Sequence, residues 1–426
     1  MNPPRARRPV VTGLGFITPV GLDGSSVSAS LRAGRHGLKP VEFLGNPRLT
    51  VRLAGTVDGF DVASTSCRDW TWPARYDIPR ETVRGLAPHG VFAFCALAQA
   101  LDDAALAGRV ADDPRTGLFC ASAGSAMLLH HHLAQMHAVR GERGNPMGVV
   151  SSIAGTLNFN LAAHFHITGA VCGFVSACAS SSHALGYACD EIRLGRLDRV
   201  IVVGAEEHNA ETILPFAGMR ALSTAADPRL ASRPFDAGRD GFVGAGGAVA
   251  LIVEEAEAAA ARGARVYAEI AGWGQSADGH SVAMSHPEGA GIRRAMERAL
   301  ADARVSAADI DYVNAHATST PVGDRAEALA LRSVFTAAGA HPRISSTKGL
   351  TGHPLSMAGV MEAAFCSLAI AEGFTPGNAH LATPDPACDG LQLPVDTIAE
   401  GPRLALNNSS GFGGSNVCHV LRRFSP

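Results

Sequence analysis

The chain has 426 residues, 46% hydrophobic and 18% charged, with a formal net charge of −3. That is enough apolar sequence for a large core, and the near-neutral balance excludes bulk attraction to nucleic acid or to an anionic membrane surface. Three arginines precede the apolar start, but Thr12, Gly13, Gly15 and Pro19 interrupt it. No signal-peptide core forms and no run of membrane-spanning length is read, so a cytoplasmic, non-membrane protein is expected.

In chain order, "PVVTGLG" (9–15) reads as a strand. Its GxG is followed by Thr18 where a dinucleotide motif needs a third glycine, so a strand and turn is the better reading. "WTWP" (70–73) reads as loop packing, and 90–106 as a helix. "LLHHHLAQMH" (128–137) puts consecutive histidines on different sides of a helix. That makes a poor metal cage and suits a surface or pocket rim. "AVCGFVSA" (170–177) is a strand, and a helix follows with Ala184, Leu185, Ala188 and Ile192 on one face.

Strands are expected at 199–205 and 248–255, with a seam in the Ala-rich 256–264. Beyond it come a strand (264–274), a helix through Ile292, Met296 and Leu300, a strand (309–316), a helix (323–335), a strand (343–348), a long helix (352–373) and two strands (403–410 and 415–424). Apolar strands separated by helices predict an α/β protein whose sheet is covered on both faces. Two halves, 1–258 and 259–426, fit this order without an evident sequence repeat.

The nine cysteines form no CxxC pair, so neither a disulfide framework nor a structural zinc site is expected. Cys178 stands apart because it falls at a strand-to-helix turn among small residues. Amide donors and the positive dipole end there favour a thiolate, with a pKa below the usual ~8.5. A buried structural cysteine is the competing reading. Three more polar segments sit at strand ends or helix starts, where open α/β sheets place their sites. "NAHATSTPVGD" (314–324) carries His316, "SSTKGLTGHPLSMAG" (345–359) carries Lys348 and His353, and "NNSSGFGGSN" (407–416) is Gly-rich. Lys348 is one of only two lysines, with Lys39, in a chain rich in arginine.

With "VVTGLGFITPVG", "SACASSSHALGYA", "RPFDAGRDGFVGAGGAVALIVEE", "NAHATSTPVGDRAEALAL", "STKGLTGHPLSMAG" and "GFGGSN" in this order, the chain resembles the β-ketoacyl-[acyl carrier protein] synthases of fatty acid and type II polyketide or polyene synthesis. The resemblance implies a thiolase-like fold of two similar halves in five layers, αβαβα, and usually a homodimer. It implies decarboxylative condensation of an acyl group on Cys178 with malonyl-carrier protein. His316 and His353 match the two active-site histidines, and Lys348 the lysine beside them. Thr318 and Thr320 match phosphopantetheine-binding threonines. Phe412 matches a gate whose amide joins that of Cys178 in an oxyanion hole. Asp324, Glu327 and Glu362 match the supporting acidic residues.

The implied reaction uses no metal and no redox cofactor; its substrates ride on the phosphopantetheine of an acyl carrier protein. Arg80, Arg84, Arg140 and Arg143 fall where relatives receive that acidic partner, with Glu81 among them. Ser410 replaces the usual phenylalanine two places before Phe412, which leans the reading toward a specialised polyketide or polyene pathway over fatty acid synthesis. A thiolase or acyltransferase remains as an alternative, although Cys418 lies in a strand-like segment. So does a non-catalytic chain-length subunit of a heterodimer, although the nucleophile, both histidines and the lysine are present.

Overall fold

In the computed structural model, which describes residues 7–425, ten strands carry the fold. They are β1 (Pro9–Ile17), β2 (Thr116–Ala121), β3 (Val171–Phe174), β4 (Arg199–Glu206), β5 (Gly247–Glu255), β6 (Ala268–Ala277), β7 (Tyr312–Asn314), β8 (Arg343–Ser345), β9 (Leu404–Gly411) and β10 (Ser415–Arg422). Their spatial order is β8-β7-β9-β10-β6-β1-β5-β4-β2-β3. Within residues 9–255 the strands run third, second, fourth, fifth, first from the outer edge, and within 268–422 the same permutation recurs. The internal repeat is therefore topological, with no trace needed in the side chains. The halves join where β1 and β6 pair antiparallel at Val10↔Glu269 and Val11↔Ala268.

Five helices complete the layers: α1 (Pro88–Asp103), α2 (Ser180–Arg193), α3 (Ala290–Ala303), α4 (Pro321–Val334) and α5 (Ala358–Glu372). α1 covers the outside of the first half, against β1 and β5, and α3 covers the outside of the second, against β6 and β10. α2 and α5 lie between the halves: α2 touches β4 and β10, and α5 touches β5 and β9. Ala184, Leu185, Ala188 and Ile192 of α2 are fully buried there. The layers are those of the αβαβα fold.

Two expectations need correction. The segment read as one helix from residue 352 is broken: Gly352 and Leu355 have positive φ, of 73° and 47°, and α5 begins only at Ala358. His353 thus sits on a turn, held by its N–H on Val243 O at 2.7 Å. The segment Leu355–Glu372 is also apolar and long enough to cross a membrane by composition, which the sequence count overlooked. It is 89% buried between the two half-sheets, as a core helix is.

The "TGLG" of β1 has a packing cause. A Cβ on Gly15 would come within 1.8 Å of Ala96 O, and one on Gly13 within 2.4 Å of Ala100 O, so both glycines let α1 lie directly on the strand. Gly15→Ala should therefore lower unfolding stability by about 1–3 kcal/mol, the usual cost of overpacking. The urea midpoint measures it; an unchanged midpoint would mean that α1 can move away without cost.

Candidate active site

Four chain segments converge at one end of the sheets. The first follows β3. Ala177 takes φ +51° and α2 starts at Ser180, so Cys178 stands at a sharp elbow. Ser180 Oγ accepts the Ser176 N–H (2.8 Å) and donates to Ala177 O (2.6 Å). His183 braces the elbow from the helix, with Nδ1 2.7 Å from Ser176 Oγ and Nε2 3.0 Å from Gln275 Oε1 on β6. The β9–β10 turn presses on the same elbow. A Cβ at Gly411 would meet Ser176 O at 2.6 Å and Cys178 N at 3.0 Å, so only glycine permits this approach.

The other two segments bring the histidines. Nε2 of His353 lies 3.0 Å from Sγ of Cys178. The His316 ring stands edge-on to that of His353, with centroids 5.3 Å apart. His316 leaves the end of β7, and Glu327 on α4 fixes its backbone by accepting the N–H groups of His316 (2.8 Å) and Ala317 (2.6 Å). Asn408 of β9 donates to the same carboxylate at 2.6 Å. Lys348 is fully buried, and its ammonium is paired with Glu362 of α5. Asp324 lies one turn before Glu327. It holds the N–H groups of Thr320 (3.2 Å) and Phe235 (2.9 Å), with Arg239 at 3.5 Å.

A pocket of about 400 Å³ opens onto this cluster. Cys178, His316, His353, Thr318, Thr320, Ser410 and Phe412 all line it. Phe412 is 40% exposed and its ring lies 6.1 Å from that of Phe216. Ser410 Oγ is already engaged, donating to Asn416 Oδ1 at 2.7 Å. Elsewhere, Trp70 and Trp72 pack in their loop, each indole N–H on a nearby carbonyl. Arg80, Arg84, Arg140 and Arg143 are all exposed; the short helix bearing the first two packs on helix Gly148–Ser152, which follows the loop bearing the others.

Enclosure sets the protonation states. Cys178 packs against an apolar cluster that includes Ile213, Phe242 and Leu355. Burial pushes its thiol up to about 12; Lys348 pulls it down, while Glu206 and Glu362 raise it further. The thiolate expected from the helix end is thus not the resting state. Cys178 lies outside the first turn of α2, and desolvation exceeds the dipole there. Burial, and next the charge of Lys348, hold both imidazoles well below the ordinary histidine value. The carboxyls of Glu362, Glu206 and Asp324 are each raised to about 7, chiefly by burial.

Residues 6–259 match the family model of the β-ketoacyl synthase N-terminal domain, and 267–382 that of its C-terminal domain. The chain belongs to the β-ketoacyl synthase family. It is 37% identical to 3-oxoacyl-[acyl-carrier-protein] synthase 1 of Haemophilus influenzae, over 98% of this chain and all of that one. A β-ketoacyl synthase structure from Burkholderia phymatum superposes with a TM-score of 0.89 at 32% identity, covering 98% of this chain and 100% of that chain. The ishigamide ketosynthase/chain length factor gives 0.87 at 30% identity, covering 99% and 100%.

Of the site residues expected for a synthase, the structure gathers Cys178, His316, His353, Thr318, Thr320, Ser410 and Phe412 at one pocket, with Lys348, Glu327 and Glu362 beneath it. Asp324 supports the threonine turn and does not reach the thiol. Sequence reasoning missed Gly411, Asn408 and the carboxylate of Glu206. The available signal was the "EE" closing an apolar strand, an acidic pair where burial is expensive.

Alkylation of Cys178 by iodoacetamide should keep accelerating above pH ~8.5, the ordinary thiol value, because the folded thiol is raised. A rate that has levelled off by that pH would show a thiolate poised by the helix end instead.

Proposed function

We propose that this chain is a stand-alone elongating synthase, with the 3.0 Å contact between Cys178 Sγ and His353 Nε2 as the observation that carries the reading. In the first half-reaction, Sγ attacks the thioester carbonyl of an acyl-carrier protein. The new S–C bond replaces the bond to the phosphopantetheine sulfur. The thiol proton passes through His353 to that departing thiolate, because a neutral thiol needs an acceptor in contact. The amides of Cys178 and Phe412 receive the tetrahedral oxyanion, a reading supported by how closely the Gly411 turn meets the elbow.

In the second half-reaction, malonyl-carrier protein enters along Thr318 and Thr320. Its carboxylate leaves as CO₂, and the electron pair of that bond becomes an enolate. Uncharged imidazoles are the right donors here, since each can hydrogen-bond the thioester oxygen as it gains charge. The enolate carbon attacks the acyl carbon, the Cys178 S–C bond breaks with its electron pair going to sulfur, and the thiolate takes a proton from solvent through His353 as β-ketoacyl-carrier protein departs. Lys348 and Glu362 hold the field beneath the histidines, Glu327 holds the His316 turn, and Asp324 the threonine turn. Atoms and electrons balance without a metal or redox cofactor.

The carrier docks on Arg80, Arg84, Arg140 and Arg143, whose exposed cations suit an acidic partner. The partner subunit is a second copy of this chain. Strand β3 is an exposed sheet edge, and Val175 beside it is 71% exposed; Leu129, Leu133 and Val149 are exposed as well. The ishigamide relative is a ketosynthase/chain length factor, so a related subunit is the alternative occupant. Ser410 supports a specialised polyketide or polyene donor, because a buried hydroxyl replaces aromatic bulk in the pocket wall. Work on carrier-bound substrates in the cytoplasm follows from this assignment.

Intact mass after incubation with saturated and polyunsaturated acyl-carrier thioesters tests the reading. One acyl adduct is expected on the wild type and none on Cys178→Ala. The polyunsaturated donor should load faster, and Ser410→Phe should reverse that preference. His316→Ala should load normally but lose about 10²–10³ in condensation, the scale of a lost oxyanion donor. No adduct from any donor would move the chain to the non-catalytic subunit reading.

A further inference from the structure

Strand β4 ends in two consecutive carboxylates, Glu206 and Glu207, each only 1% exposed. Burying two neighbouring acids is costly unless every oxygen has work, so their partners show what the cost supports. Oε1 of Glu206 accepts two bonds from different segments. One is the Ala123 N–H at 2.9 Å, in the turn after β2; the other is the hydroxyl of Ser356, three residues beyond His353. Glu207 reaches the same β2 turn by relay. Its Oε1 lies 3.1 Å from His89 Nδ1, His89 Nε2 lies 2.8 Å from Ser122 Oγ, and Ser122 Oγ accepts the Gly124 N–H at 2.9 Å. Asn209 occupies its other oxygen at 2.6 Å.

The Ser122–His89–Glu207 connectivity is that of a hydrolytic triad. Ser122 is 3% exposed, does not line the pocket described above, and spends its oxygen on a backbone amide, which argues against a substrate there. The relay instead makes the β2 turn a rigid anchor. Glu206 then ties that anchor to Ser356, in the single 3-10 turn Leu355–Met357 that follows His353 and in which Leu355 has φ +47°.

We propose that Glu206 is a positioning residue: by bridging Ala123 N and Ser356 Oγ it holds the His353 turn so that Nε2 stays on Cys178 Sγ. The inference rests on the thiol–imidazole reading above and adds to it the part that sets the contact. Geometry at this level matters, because displacing a reacting group by about 1 Å can cost as much as 10²-fold in rate.

The test compares Glu206→Gln, Glu206→Ala and Ser356→Ala, using acyl loading from a carrier thioester and iodoacetamide alkylation of Cys178 well above neutral pH, where the Glu206 carboxyl, raised to about 7, is ionised. The two chemistries of Glu206 predict opposite signs. Its charge raises the Cys178 pKa, so neutralising it alone speeds alkylation. Its bridge is kept by the amide oxygen of Gln and lost in Ala. The expected result is Glu206→Gln at or above the wild-type rate, with Glu206→Ala and Ser356→Ala slower by about ten-fold in acyl loading. Glu206→Ala should add little in a His353→Ala background.

Faster alkylation in both Glu206 variants with normal loading would overturn the proposal in favour of a purely electrostatic role. Wild-type loading by Ser356→Ala, a small change that spares the carboxylate, would overturn it as well. A His353→Ala chain that loads like wild type would instead refute the thiol–imidazole reading itself, which separates the two failures.

Discussion

Enclosure of a thiol and two imidazoles by apolar walls is the constraint from which the rest of this site follows. In water the three groups would titrate near ordinary values, and a lysine beside them would be screened. Here burial raises the thiol, lowers both imidazoles, and leaves the fully buried Lys348 with the Glu362 carboxyl as its partner. The resting state that results is uncharged at sulfur and at both rings. Such a state stores no thiolate against stray electrophiles, and it leaves the rings able to donate hydrogen bonds when an enolate appears. A cation beneath the cluster helps both steps, because it favours every negative charge that develops above it.

The fold supplies that enclosure through close backbone approach more than through large side chains. Gly411 brings the β9–β10 turn against the nucleophile elbow, and Gly13 and Gly15 bring α1 against β1. The positive φ of Ala177 and Leu355 shows strain concentrated on the two turns that carry or follow reacting groups. Both turns are braced by side chains from elsewhere. His183 and Ser180 serve the first, and Ser356 with Glu206 serves the second.

Much of this was readable from residues alone. Apolar runs such as 199–205 and 248–255 became central strands because nothing polar could sit there, and the helix after Cys178 buried the face its spacing named. Cys178, the two histidines and Lys348 were separable from the background by their place at strand ends and by the six family segments around them. What the sequence hid was of another kind. The broken start of α5 depends on Gly352 and on tertiary hydrogen bonds to Val243, which no helical period reveals. The thiol's protonation state was misread because a dipole is visible in a strand-to-helix pattern, whereas the surrounding apolar cluster comes from Ile213, Phe242 and Leu355, each from a different part of the chain. The permuted repeat of strand order was invisible because topology leaves no mark on side chains when each half packs its own core.

The central claim is that the site rests uncharged because it is desolvated. Two-bond ¹⁵N–¹H correlation spectra of histidine-labelled protein test it directly, recorded near pH ~6, where an ordinary imidazole is largely protonated. The account predicts neutral-ring patterns for both His316 and His353, unchanged in Cys178→Ser. An imidazolium pattern at His353 that disappears in Cys178→Ser would contradict it, showing a thiolate–imidazolium pair at rest and a field dominated by charge, with desolvation secondary.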